Sequence, residues 1–400
     1  MRYSVLVCCA VIVLAFAASA TTYVVEPDGS GDFPTIQLAI NASSDGDIIE
    51  LADGTFTGAG NRDVDFAGRA VTVRSQSGDP ETCVIECEGS EADPHRGFIF
   101  QSDEGPESII EGITVAHGWA EYYGGGIFCD GDASPTVVNC ALVDNEAAMG
   151  GGMCGGILST LTGCAFIGNE SVRGGGLARA WATVLTDCEF LGNKARYGGG
   201  IYIRSSCSPT LTGCTFSGNS SWHSGGALHI EQHCNPVLSY CTLTGNSSPI
   251  GGAVYISIES SPSLVNCTLW GNSSTSTGVV TCGELCYVTI ENTIISHSLQ
   301  GEAVTCWDTD ATLTCCDVYR NAGGDWIGCL ADQYGVNGNI CEDPLFCWDE
   351  NPDAPYTLHD GSPCAPEHNP ACGLIGAWGV GCGVTAVEPA SWGSVKAMFR

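Results

Sequence analysis

The chain has 400 residues and a formal net charge of −32, from 45 acidic against 13 basic side chains. So acidic a surface excludes nucleic acid and anionic membrane as expected partners, because both are bound through basic surface. The length allows two domains, but one repeat runs through most of it, so a single solenoid with caps is expected.

Residues 1–20 read as a secretory signal: Arg2, an apolar run from Val5 to Phe16, and small residues at Ala18, Ser19 and Ala20. The mature chain is expected to start near Thr21 and to be secreted or held at the cell surface. Cys8 and Cys9 leave with the signal, so 23 of the 25 cysteines remain. No later apolar run approaches the ~20 residues of a membrane span.

Residues 21–63 predict an N-terminal cap. YVVEP reads as a strand, DGSGDF as a turn, PTIQLAINAS as a short amphipathic helix with Pro34 near its start, and DIIEL as a strand. Such a helix covers the open strand edge that a solenoid leaves at its end. Calcium is the competing reading of the turn from Asp28 to Asp32, but the later glutamate of an EF-hand is missing. No cofactor is expected, with Ca2+ as the one alternative.

From 64 to 325 the predicted element is a coil, written again and again. Its clearest form is Leu-x-x-Cys-x-Phe/Leu-x-x-Asn, as in LTGCAFIGN ending at Asn169 and LTGCTFSGN ending at Asn219. Cys140, Cys164, Cys188, Cys214, Cys241 and Cys267 follow one another at steps of 24, 24, 26, 27 and 26, and Cys316 resumes the pattern. Glycine runs keep the same beat and end at Gly126, Gly152, Gly176, Gly200, Gly226 and Gly252. This period leaves no room for a helix of average length. Three strands of four or five residues with turns use up about 25 residues, and coils ~4.8 Å apart align equivalent side chains in columns. Cys and Phe/Leu should face inward, and Leu161, Leu185, Leu211, Leu238 and Leu264 lie across a corner from them at pairs such as Thr212-Gly213. Asn marks the next corner, where it tolerates left-handed geometry and can bond to the Asn above and below. Two weaker coils are read with Gly112 and His117, and with Asn292 and His297, in the Cys and Asn positions. The inner cysteines should stay as thiols, since free Cys behaves as a small buried hydrophobe. Cys207 and Cys234 each precede a proline by two residues in adjacent coils and are expected to form a disulfide.

The repeats resemble those of right-handed parallel β-helices of the pectin-lyase-like superfamily. More narrowly, their GG[AILV] and FxxN motifs are similar to the repeats of chlamydial polymorphic outer-membrane proteins. The resemblance implies an all-β, right-handed parallel β-helix, a solenoid of about ten three-strand coils with a short N-terminal helix cap and a Cys-rich C-terminal cap. The opening VEPDGSGDFPTIQLAI resembles that of pectinesterases but carries no catalytic residue. The catalytic motifs of pectate lyases, polygalacturonases and pectinesterases have no counterpart. Ala116-His117-Gly118 is similar to one polygalacturonase element, yet none of its companion motifs accompanies it.

One constellation stands out. Arg173, Arg179, Lys194, Arg196 and Arg204 fall within about one and a half coils, although basic residues are scarce. Strand alternation puts His229, Glu231 and Tyr255 on the outer face, with Tyr202 and Arg204 beside them. Trp119, Tyr122, Tyr123, Tyr197, Trp222 and His223 line a rim. Arginines beside aromatic faces suit an acidic polysaccharide. The candidate ligand-binding set is therefore Arg179, Tyr202, Arg204, His229, Glu231, Tyr255 and Trp222. It points to a secreted or surface module, monomeric and non-catalytic, that binds a glycan or a protein in the manner of an adhesin. The alternative is a polysaccharide lyase or glycoside hydrolase acting on an acidic polysaccharide through Arg179, Arg204, His229 and Glu231.

Residues 326–383 read as the Cys-rich C-terminal cap, with Cys329, Cys341, Cys347, Cys364, Cys372 and Cys382. It resembles the disulfide-tied end of bacterial β-helix domains, and the absence of any CxxC pair disfavours zinc. Residues 384–400 read as a tail.

Overall fold

The computed structural model describes residues 20–382 apart from 349 and 353. The expected signal, but for its last residue, and the expected tail lie outside the described residues. No helix among the described residues is long and apolar enough to cross a membrane.

One turn shows how the sequence builds the rest. Thr210–Thr212, Thr215–Ser217, Ser220–Ser224 and Leu228–Glu231 are four short strands in succession. Each pairs in parallel with the equivalent strand of the coil before and of the coil after. Stacking about eleven such turns gives four sheets, numbered here 1 to 4 in the order the chain visits them, with 12, 11, 7 and 10 strands. Sheets 1, 2 and 4 are the three that the repeat predicts. Sheet 3 is an addition made by the variable loop after the Asn, from Trp119–Tyr123 to Ser273–Ser274.

The inner columns follow from that register. Phe166, Phe190 and Phe216 stack with ring centroids 4.6 and 4.7 Å apart. Cys140, Cys164, Cys188, Cys214, Cys241, Cys267 and Cys316 are buried free thiols. The middle ones donate to a carbonyl of the preceding coil, as Cys188 Sγ does to Leu161 O at 3.5 Å. Burial pushes Cys164 and Cys188 well up, so these two thiols stay protonated and inert. The glycine runs are a matter of space. A Cβ on Gly199 would lie 2.4 Å from Gly226 O and 2.6 Å from Ser220 O, so stacked corners admit no side chain.

Asparagine ties the coils together, but from a different position than the one expected. Asn193 Nδ2 donates to Phe166 O (2.8 Å) in the coil before and to Asn219 Oδ1 (2.9 Å) in the coil after. Its Oδ1 accepts both Asn169 N and Asn169 Nδ2 at 3.0 Å. The left-handed residue is the one before it: Asp144 (φ 50°), Gly168 (65°), Gly192 (62°) and Gly218 (64°) stand ahead of Asn145, Asn169, Asn193 and Asn219. A second left-handed residue precedes each Cys, as Gly213 (φ 65°) does Cys214. The corner residue sends its side chain outward and leaves the next one facing in. The weak coils were read one residue early for the same reason. Gly112, His117, Asn292 and His297 are all left-handed corners. Pairing puts Ile113 and Gly118 opposite Cys140 and Asn145, and Thr293 and Ser298 opposite Cys267 and Asn272.

The two ends differ. At the N-terminus, the helix Ile36–Ala42 is capped by Thr35, whose side chain accepts from Leu38 N. Strands Thr22–Val25 and Ile48–Leu51 already belong to sheet 1. Asp28 and Asp32 accept from the backbone N–H groups of Ser30 and Val24, which makes the segment a turn held by its own carboxylates. At the C-terminus, disulfides join Cys306–Cys329, Cys315–Cys372 and Cys347–Cys382. Cys341 and Cys364 are free. Cys315 is a left-handed corner (φ 54°), so it faces out toward the cap while Cys316 faces in. The cap also folds back along sheet 2: Trp378 Nε1 donates to Thr242 Oγ1 at 2.8 Å, and Ala377 N to Thr268 Oγ1 at 3.0 Å.

Replacing Asn193 by Ala leaves Asn169 N, Asn169 Nδ2 and Phe166 O without their buried partner. The expected loss is roughly 2–4 kcal/mol, read as a lower denaturant midpoint. An unchanged midpoint would show that the ladder does not hold the coils.

Candidate functional site

Sheets 3 and 4 turn their outer faces toward each other across the glycine corners. The outer column of sheet 3 is Tyr123, Met149, Arg173 and Tyr197. That of sheet 4 is Phe128, Cys154, Ala178, Tyr202, His229, Tyr255, Thr281 and Thr305. Ring contacts close the angle between them: Tyr123 on Phe128 at 5.9 Å and Tyr197 on His229 at 5.3 Å. The result is an angle between the two sheets, largely filled by these rings, that runs parallel to the solenoid axis and is called the groove below.

Alternation sets which side chains reach it. Leu228 and Ile230 are core residues, so His229 and Glu231 point out. Tyr202 stands opposite His229, and Arg204 opposite Glu231. The outward reading is therefore right, but the expectation that these residues meet solvent is not. Tyr202 and His229 are each only 3% exposed, because Tyr197 of the unforeseen sheet 3 packs against them. Trp222, by contrast, is exposed on the rim. Tyr255 is half-buried, its ring 4.9 Å from that of His229. Arg179 is exposed one coil earlier, its guanidinium 5.0 Å from the Tyr123 ring, and belongs to a separate part of the groove.

Glu231 is the hub. Its Oε1 accepts the Tyr202 hydroxyl at 2.5 Å and lies 3.2 Å from Arg204 Nε. His229 Nε2 stands 3.5 Å from Oε2, an ion-pair distance without a hydrogen bond. The other ring nitrogen, Nδ1, shares the Ser224 hydroxyl at 2.9 Å. Burial opposes the charge on Glu231, but His229, the Tyr202 hydroxyl and Arg204 outweigh it and hold the carboxyl down at about 2. Burial and then the bond to Glu231 push the Tyr202 hydroxyl well up. Arg204 is also fixed through Nε by Gln232 Oε1 at 2.8 Å.

Cys207 and Cys234 are stacked neighbours beneath this hub, yet the expected disulfide is not formed. Both are buried free thiols. Their Sγ atoms are in hydrogen-bonding contact with each other, and each also reaches a backbone carbonyl, Cys207 that of Arg204 at 2.6 Å and Cys234 that of Glu231 at 3.0 Å. Among the described residues no group of three or more His, Cys, Asp or Glu side chains is placed to hold a metal ion.

Residues 176–340 match the model of the family described as "right handed beta helix region". The chain is a right-handed parallel β-helix. The crystal structure of a pectate lyase superposes with a TM-score of 0.58 at 15% identity, covering 91% of this chain and 97% of that one. A pectin methylesterase from carrot gives 0.37 at 11% identity, over 84% and 93% of the two chains. A mannuronic-acid-specific family 6 polysaccharide lyase from human gut microbiota gives 0.38 at 11% identity, over 83% and 93%. No curated protein matches this β-helix chain. The likeness to the pectate lyase bears on the fold alone, and the chlamydial likeness rests on the sequence motifs alone.

Two features of the groove escaped the sequence reading. Gln232 was missed because it sits in a turn, next to the left-handed His233. Trp307 was missed because it follows a coil without the Cys-to-Asn signature.

The depressed acidity of Glu231 gives a signed pH dependence. Its pairing stabilises the fold fully above the ordinary glutamate value of about 4.5 and ceases to do so as the pH falls toward 2. Glu231→Gln should cost roughly 2–4 kcal/mol at neutral pH. The melting-temperature gap between parent and variant should stay constant above pH 5 and narrow below it. A gap that widens in acid would contradict this assignment.

Proposed function

We propose that the groove binds an acidic polysaccharide and does not cleave it. The observation that carries this reading is the state of Glu231. Its carboxylate accepts the Tyr202 hydroxyl and pairs with Arg204, contacts that favour its ionised form, so it is engaged as a fixed positioning group rather than left free to trade a proton with a substrate. What remains for a ligand is binding chemistry: Arg173, Arg179 and Arg204 along the walls, with the faces of Tyr123, Tyr197, Tyr255 and Trp222. Guanidinium groups clasp carboxylates with two parallel hydrogen bonds, and aromatic rings pack on sugar faces. On a chain of net charge −32, this local concentration of cations favours an anionic ligand.

The fold by itself carries no activity, since it hosts many. Pectate lyase and this chain share that fold, and the lyase reading of the groove is the alternative. The three disulfides support an oxidising, extracellular setting. In this reading the module is an adhesin-like glycan binder.

Arg179 is suited to the test because its contact is the Tyr123 ring rather than the Glu231 hub. Oligouronates should bind the protein in calorimetry, more weakly as salt rises. Arg179→Ala combined with Arg173→Ala should weaken them by about tenfold or more at unchanged melting temperature. Unsaturated product in an absorbance assay of the same samples would favour the lyase, and oligouronate binding indifferent to the arginines would remove this reading.

A further inference from the structure

The groove does not end at Tyr255. Its sheet 4 column continues as Thr281 and Thr305, so the side chains shrink abruptly where large rings had filled the angle. The glycine run ends in the same coils: TGVV and GEAV replace GGA. The angle therefore widens into a depression of about 810 Å3 that is open to solvent rather than enclosed. Its lining includes Thr277, Gln300, Glu302, Thr305 and Trp307, with no Lys, Arg or His. Trp307 is 38% exposed, and its ring is 6.3 Å from that of Tyr255. The depression thus shares an aromatic wall with the arginine-lined groove while its chemistry is different.

We propose that this depression is a subsite for an uncharged sugar residue, stacked on Trp307 and held by the Gln300 amide and the Glu302 carboxylate. A hydroxyl-bearing ring matches the lining because it donates to a carboxylate and to an amide oxygen. A uronate does not match, because Glu302 would face its charge with no cation to intervene. Four coils separate Arg204 from Trp307, about 19 Å at ~4.8 Å per coil. One extended glycan spans both. The inference rests on the groove reading above and adds to it: the ligand is a mixed polymer, acidic where it meets Arg173, Arg179 and Arg204 and neutral where it meets Trp307.

Two probe sets separate the two claims. The first is a panel of uncharged oligosaccharides of glucose, galactose, mannose and xylose; the second is oligouronates. At least one uncharged oligomer should protect Trp307 from N-bromosuccinimide, followed by peptide mass mapping. Its affinity should be indifferent to salt and to Arg179→Ala, and should fall by about tenfold or more in Trp307→Ala. Thr305→Tyr extends the aromatic column into the depression and should abolish the same binding, which guards against a misfolded Trp307 variant. The subsite is refuted if no uncharged oligomer protects Trp307, or if both variants bind the protecting oligomer as the parent does. Oligouronate binding that ignores the arginines would instead refute the groove reading and leave the result at Trp307 standing.

Discussion

A buried asparagine amide that reaches both the coil before and the coil after it is the constraint on which the rest depends. Asn145, Asn169, Asn193, Asn219, Asn246 and Asn272 are each at most 1% exposed. A primary amide in that setting must find partners for two donors and one acceptor, or burial costs several kcal/mol. In-register stacking is the arrangement that satisfies them, and it repeats the same geometry at every coil. The phenylalanine stack, the thiol column and the side-chain-free glycine corners all follow from that register. So does the placement of the corner residue, which gives up an inward side chain so that the asparagine can keep one.

The same register makes the groove. Alternation along each sheet 4 strand sends Tyr202, His229 and Tyr255 outward as strictly as it sends Leu228 and Ile230 inward. Their superposition is an external column with no counterpart in the core. A solenoid of this kind grades its outer surface simply by changing residues along one column. Phe128, the small Cys154 and Ala178, the ring-rich middle and the threonines at the far end are successive positions of a single ladder. The locked carboxylate of Glu231 fits that picture, since it fixes Tyr202 and Arg204 where two coils meet.

Legibility followed periodicity. The inward Cys and Phe/Leu columns were readable because period-two alternation and a constant five-residue gap to Asn leave one solution. The side of the strand taken by Tyr202, Arg204, His229 and Glu231 was readable for the same reason. Three things were not. The left-handed corner and the ladder Asn are adjacent, and only the backbone dihedrals separate Gly218 from Asn219, which put His117 and His297 in the wrong slots. The burial of Tyr202 and His229 depends on sheet 3, whose strands come from loops of variable length and composition. The pairing of Cys315 with Cys372 and of Cys306 with Cys329 joins the solenoid to a cap that has no period. Likewise, adjacency of Cys207 and Cys234 followed from spacing, but that the two neighbouring sulfurs stay as free thiols did not.

Amide hydrogen exchange of the protein, with and without an oligouronate, tests the central claim most directly. A ligand seated against sheets 3 and 4 should slow exchange in Glu170–Arg173, Leu177–Ala178, Lys194–Tyr197, Ile201–Arg204, Ser220–Ser224 and Leu228–Glu231 and leave sheets 1 and 2 unchanged. Protection confined to the outer strands of sheets 1 or 2, or to the cap around Trp348 and Trp378, would contradict it.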